Sequence, residues 1–253
     1  MKKILALLLC FSFCFSVALA KETKFKYGKI IYPTQIVLPK ALEKKAKKEG
    51  FTPKIDPPVI AYFVEDLTAD NEKIMRAFLD NGYAIAVMET KGQFPDNVIN
   101  AKAAIRFLKK NASKFDIDSG KVGVWGGETA AFVALTPFQE QFEDYSIVPR
   151  GESSRVMAAL LISPFSKEKL PRLDDFTNYA NPSAAYTFIL NGKYNRHSPA
   201  KKADAFVKKL RDAVGDNNVA LLKTDTPAGK QIEITDDITK RIIDFFNKKL
   251  RKD

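Results

Sequence analysis

The stretch KVGVWGGETAAFVAL, residues 121–135, holds the first residues that could do chemistry. It reads as a buried strand, a glycine turn and a helix of small residues. Chains of the form G-x-S-x-G use that layout to present a serine hydroxyl on a sharp strand-to-helix turn. Here Gly126-Gly127-Glu128-Thr129-Ala130 keeps the frame and sets Glu128 in the nucleophile's place. A slip of one residue would put Thr129 there, but it needs an insertion in the tightest part of the turn. A serine hydroxyl attacks only when a histidine takes its proton and an acid holds that histidine. The chain has one histidine, His197 in NRHSP, which reads as a surface residue. No serine from Ser146 to Ser198 has glycines around it.

Glu128 admits two readings. A carboxylate on this turn could itself be a nucleophile, kept ionised by the helix N-terminus behind it. The ester so formed must then be hydrolysed by water with a base, and lysine is a poor base unless burial lowers its pKa. The plainer reading is that Glu128 caps the following helix or pairs with a lysine.

The N-terminus bears on location. Lys2 and Lys3, the apolar run from Ile4 to Val17, and Ala18-Leu19-Ala20 make a secretory signal peptide over residues 1–20. The expectation is export to the periplasm or the exterior, with residues 21–253 forming a single domain. Cys10 and Cys14 both lie in the removed segment, leaving no thiol for a disulfide, a nucleophile or a metal site. No second apolar run is long enough to cross a membrane. The formal net charge is +11. Spread-out lysines without a basic-aromatic platform argue against nucleic acid and for a lysine-rich solvated surface. The sharper alternative is attraction to an acidic envelope polymer. No cofactor motif and no metal-ligand spacing is evident.

The elements that must position the turn follow from apolar patterning. Strands are expected at 58–64, 83–88, 121–126, 155–163, 184–192 and 218–224, with one or two more within 29–39. Helices are expected at 71–82, 97–115, 200–215 and 236–250. LEKKAKKEG, residues 42–50, reads as a surface loop or a short helical turn. Strands alternating with helices predict a mostly parallel sheet covered on both faces.

NGYAIAV, FPDNVINAKAAIRFLKKNASKFDIDSGKVGVWGG, SSRVMAALLISPF and AAYTFILNGKYNRHSPAKKADAFVKKL together carry a family resemblance. They resemble the acetyl-esterase and lipase branch of the α/β-hydrolase fold, which includes acetylxylan and feruloyl esterases. The resemblance implies a three-layer α/β fold and a carboxylic-ester hydrolase ancestry. It also implies where catalytic groups should lie. The nucleophile falls on Glu128 and the acid on Asn195, after Asn191-Gly192. The histidine falls near Lys230, in the loop TDTPAGKQ. The oxyanion motif falls on Val64-Glu65-Asp66-Leu67, with Gly127 and Thr129 completing the old cleft. Every landmark is replaced while the frame is kept. Losing a triad as a unit costs about a millionfold in a serine protease, and one oxyanion donor costs about 10²–10³. The expectation is a binding or structural protein without serine-hydrolase activity. The alternative is an ester hydrolase working through Glu128 or Thr129. A Glu128–Lys230 ion pair, or a cationic small ligand in its stead, is expected to neutralise the cleft.

Overall fold

A computed structural model describes residues 21–253 except 34, 36, 38–39, 51–52, 54, 65–68, 90–91, 147–149, 166–174, 196–197, 229 and 252–253. Its core is one eight-stranded sheet. The strands are β1 (Glu22–Phe25), β2 (Gly28–Ile31), β3 (Val59–Val64), β4 (Ala84–Glu89), β5 (Val122–Gly126), β6 (Ala158–Ile162), β7 (Tyr186–Gly192) and β8 (Val219–Thr224). Their order is β1-β2-β4-β3-β5-β6-β7-β8. The hairpin β1–β2 and the pair β2–β4 are antiparallel, and all other neighbours are parallel. This is the mostly parallel, helix-covered sheet of the α/β-hydrolase fold.

Six helices connect the strands: α1 (Lys40–Glu49), α2 (Ala69–Asp80), α3 (Asp96–Lys110), α4 (Glu128–Leu135), α5 (Ala200–Val214) and α6 (Asp236–Leu250). Alternation along β3 divides the core. Val59, Ala61 and Phe63 pack with α3, α4 and α5, whereas Ile60 and Tyr62 pack with α2 and α6. Successive strand side chains point to opposite faces, so an apolar run such as VIAYFV is what a strand buried on both sides requires.

Three local expectations change. Residues 42–50 lie within the ten-residue helix α1 and its closing turn, in which Ala46 is buried and the charged side chains from Glu43 to Glu49 face water. With so few apolar residues among its lysines and glutamates, the helix lacked the apolar stripe that reveals a core-facing helix. Strand β1 was not anticipated; its residues alternate exposed and half-buried, as an edge strand does. The single helix expected over 97–115 is instead α3 followed by a 3₁₀ turn, Ala112–Phe115. Asn111 stops α3 by returning its side-chain amide to Phe107 O at 2.9 Å, a local bond that competes with the helical ladder. Asp116, in the left-handed region at φ 49°, then turns the chain toward β5.

α6 falls where periodicity placed it. Thr235 caps it, its side chain accepting from Ile238 N at 3.3 Å. Asp236 and Asp237 sit in its first turn and Lys248 and Lys249 in its last, matching the helix dipole at both ends.

Candidate functional site in the cleft above the central strand

β5 lies inside the sheet between β3 and β6, and all five of its residues are buried. Trp125 stacks on Tyr62 of β3 with centroids 3.9 Å apart and planes 16° from parallel. Such a pair is worth about 0.5–1.5 kcal/mol beyond its buried area. Gly126 then lets α4 come close: a Cβ there would stand 3.2 Å from Ala130 Cβ and 3.3 Å from Phe63 O. The turn therefore keeps the tight packing that a nucleophile turn uses.

It does not keep the strain. Gly127 is the N-cap of α4 at φ −96°, ψ −124°. Among the described residues, the non-glycine positions at positive φ are Asp116 and Ser163, so Glu128 is not one of them. Glu128 is simply the first residue of α4. It is half-buried and engaged in a polar contact of its own.

Directly above this turn, at the C-terminal edge of the sheet, lies a cavity of about 290 Å³. The two turn residues that line it are Gly126 and Gly127, with Tyr62 and Trp125 as an aromatic wall. Three further elements close it: the start of α2 through Asp70 and Asn71, the tips of β6 and β7 through Ser163 and Asn195, and the loop after β8 through Lys230 and Gln231. Two positions that match the family triad, Asn195 and Lys230, thus face one cavity beside the turn that carries the third. Glu128 itself does not line it.

Asn195 is held from both sides. Its Oδ1 accepts from Ser198 N at 3.1 Å, and its Nδ2 donates to Ser163 Oγ at 3.0 Å. Because a backbone N–H fixes which side is the oxygen, the amide orientation is set. Ser198 is tied to the same loop, donating to Asn191 Oδ1 at 2.6 Å and accepting through its carbonyl from Asn191 Nδ2 at 2.9 Å. The loop keeps the rigidity that an acid residue would need, with a neutral amide at its tip. Lys230 is exposed, and no ion pair joins it to Glu128 among the described residues. The lock expected between them is absent. Thr129 is buried, and its Oγ1 accepts from Asn97 Nδ2 at 3.0 Å, so its hydroxyl belongs to the α3–α4 packing rather than to the cleft. Val64 ends β3 half-buried. Glu65, Asp66 and Leu67 lie outside the described residues, as does His197.

Two cavity residues escaped the sequence reading. Asp70 lies one residue before the helix expected at 71–82 and was not singled out. In the fold its Oδ1 accepts from Ile234 N at 3.2 Å, 164 positions away, a bond no local pattern announces. Ser163 was discounted for lack of glycines. Its signal is backbone, φ 45° at the end of β6. Among the described residues no cluster of three or more metal-ligating side chains forms, and no helix is long and apolar enough to cross a membrane.

A second polar cluster lies at the C-terminal end of α4. Lys102 and Arg106 of α3 are fully buried and so stand apart from the solvated lysine-rich surface. Both pair with Glu143, Lys102 at 2.8 Å. Ser154 Oγ donates to the same carboxylate at 2.6 Å, and Lys102 also donates to Thr136 O at 2.5 Å. Burial, reinforced by Arg106, lowers the Lys102 ammonium to about 7, with Glu140 opposing.

The fold has counterparts among solved structures. An esterase from Thermogutta terrifontis, solved with propionate bound, superposes with a TM-score of 0.66 at 16% identity, covering 91% of this chain and 94% of that one. An acetyl ester-xyloside bifunctional hydrolase from Caldicellulosiruptor lactoaceticus gives 0.65 at 15% identity, covering 87% of each chain. A bifunctional GH43-CE protein of Bacteroides eggerthii gives 0.68 at 15% identity over 87% of this chain; the chain spans only 33% of that protein. No curated protein matches by sequence. The BD-FAE family model matches residues 61–210, from β3 to the last turns of α5. That span is more than half of the chain, and the protein therefore belongs to the BD-FAE family of esterase-like α/β-hydrolases.

Proposed function

We propose that this protein is an exported member of the esterase-like family that binds a ligand in the old cleft without hydrolysing it. The observation that carries the reading is the relaxed turn: Glu128 replaces the nucleophile, sits at ordinary backbone angles and leaves the cavity lined by Gly126 and Gly127. A nucleophile must reach the acyl carbon from a position held ready for attack. The other triad positions support the same conclusion. Asn195 cannot carry the negative charge that stabilises an imidazolium, and the last loop offers an exposed lysine where a histidine would serve as base. Thr129, the alternative nucleophile, is buried and bonded to Asn97. Glu128 as a carboxylate nucleophile would leave an ester that needs a base for its hydrolysis, and among the described residues lining the cavity there is no histidine.

Export rests on the residue 1–20 segment alone. The positive surface suits an acidic envelope polymer as the setting in which the protein works.

The test is turnover and labelling. The mature protein should show no hydrolysis of short-chain nitrophenyl esters above a buffer control and no labelling by a fluorophosphonate probe. Glu128→Ser should stay inactive, since it restores one member of a set that works only as a unit. Ester turnover by the unmodified protein, lost on substitution of Glu128 or Thr129, would establish the hydrolase reading instead.

A further inference from the structure

Opposite charges usually find each other when one small cavity holds both. In the cleft they do not. Asp70 lines it and spends one carboxylate oxygen on Ile234 N at 3.2 Å; it has no ion-pair partner among the described residues. Lys230 also lines it, exposed, with no acceptor for its ammonium among the described residues. The two are not joined, so their charged atoms stand more than 4.0 Å apart across the same space. Elsewhere in the molecule comparable charges pair readily: Lys193 with Asp225 at 2.6 Å, and Lys223 with Asp204 at 2.6 Å.

Ser163 adds a directed donor. Its backbone is in the left-handed region, which is uncommon for a residue with a side chain and which the surrounding structure must hold. What holds it is the bond from its N–H to Leu190 O at 2.9 Å and the donation from Asn195 Nδ2 to its Oγ at 3.0 Å. Because Oγ accepts from the amide, its own hydrogen remains to be given, and the residue lines the cavity. The cavity is also lined by the stacked Tyr62–Trp125 pair.

We propose that the cleft recognises a small zwitterion with an apolar body, its ammonium on Asp70, its carboxylate on Lys230 and the Ser163 hydroxyl, and its body against Tyr62 and Trp125. An amino acid or the ends of a short peptide have this chemistry. A ligand with only one charge leaves the opposite protein charge unanswered, which is how such a site would discriminate. The proposal rests on the reading of the cleft as a binding site.

Titration calorimetry of the mature protein tests it with L-leucine, L-phenylalanine and glycyl-leucine. Isocaproate and isopentylamine, which are leucine without its amine and without its carboxylate, serve as single-charge controls. At least one zwitterion should bind about tenfold or more tighter than both controls, the loss expected when a charged hydrogen bond is removed. Leucine binding without glycyl-leucine binding assigns a free amino acid; the converse assigns a peptide. Asp70→Asn keeps the acceptor for Ile234 N and should weaken the zwitterion and isopentylamine while sparing isocaproate. Lys230→Met should do the reverse, and Ser163→Ala should weaken only the ligands that carry a carboxylate. Controls binding as well as the zwitterions, or no binding by any probe, overturns the proposal and leaves the absence of hydrolysis standing. Nitrophenyl-ester turnover would overturn the non-hydrolytic reading separately, whatever the titration shows.

Discussion

Two polar sites lie at opposite ends of α4, and they solve the problem of charge in opposite ways. At its C-terminal end, Lys102, Arg106 and Glu143 are buried together, and their contacts include one another, Ser154, the Tyr145 ring and backbone carbonyls. At its N-terminal end, Asp70 and Lys230 line one cavity and form no ion pair with each other. A buried charge is tolerable only when paired and hydrogen-bonded, and the cluster meets the demand for pairing, although the buried Arg106 Nε has no hydrogen-bond partner among the described residues. Charges in an open cleft carry no such demand. They can stay unpaired at little cost and remain available to something from outside. Pairing marks the structural site, and unpaired charge marks the candidate binding site.

The largest expected effect tests pairing. Glu143→Gln leaves Lys102 and Arg106 as two buried cations with no carboxylate between them. Breaking a buried pair from one side costs about 3–5 kcal/mol, and chemical denaturation should show a loss of that order. A loss below about 1 kcal/mol would mean that water reaches the cluster and the contrast with the cleft is one of degree.

Removing a cation instead should cost less. Lys102→Met gives up the donation to Thr136 O but leaves Arg106 and Glu143 as a matched pair. The expected loss is about 1–2 kcal/mol, a lost hydrogen bond partly offset by removal of a buried charge. This variant also carries a pH signature. An unfolded lysine titrates near 10.5, and burial with Arg106 lowers Lys102 toward about 7 in the fold. Between those values the unfolded chain holds a proton that the folded chain lacks, so this group makes stability rise with pH across the window. Glu143, 2.8 Å away, favours the charged form and narrows the window from its lower end without changing the sign. Subtracting the Lys102→Met curve from the parent's should leave a positive slope between about pH 7 and 10.5. A flat difference would show Lys102 fully charged throughout.

The legibility of these two sites in the sequence differs for the same physical reason. Apolar runs such as VIAYFV, YAIAVM and KVGVWG announce their strands because burial on both faces demands apolar residues at every position. From those strands the register of the glycine turn followed, and the resemblance to the esterase branch, not the patterning, then matched Glu128, Asn195 and Lys230 to the triad positions. Lys102 and Arg106, by contrast, sit four apart within AKAAIRFL and read as the solvated side of an amphipathic helix. Only their being flanked by small and apolar residues hinted otherwise. Their partner Glu143 lies some forty positions on, in a segment without periodicity. The same holds for Asp70 and its bond to Ile234. Helix α1 and strand β1 were lost at the other extreme, being too exposed to carry an apolar period. Patterning reports which faces are buried; it is silent on which polar groups meet.

The smallest expected effect is also the one that separates the two sites most sharply. Asp70→Asn keeps its oxygen for Ile234 N, and Lys230→Met removes a charge that faces water. If the cleft charges have no structural task, each variant should unfold within about 0.5 kcal/mol of the parent, as surface substitutions away from special features do. The double variant should be additive, since the two groups do not touch. Thermal or denaturant unfolding of the four proteins closes that cycle. A coupling above about 0.5 kcal/mol would show that Asp70 and Lys230 stabilise one another in the empty protein. They would then be a loosened version of the Lys102–Glu143 pair, and the cleft would be a structural seam. Additivity, by contrast, leaves both charges without any role that the fold itself can supply.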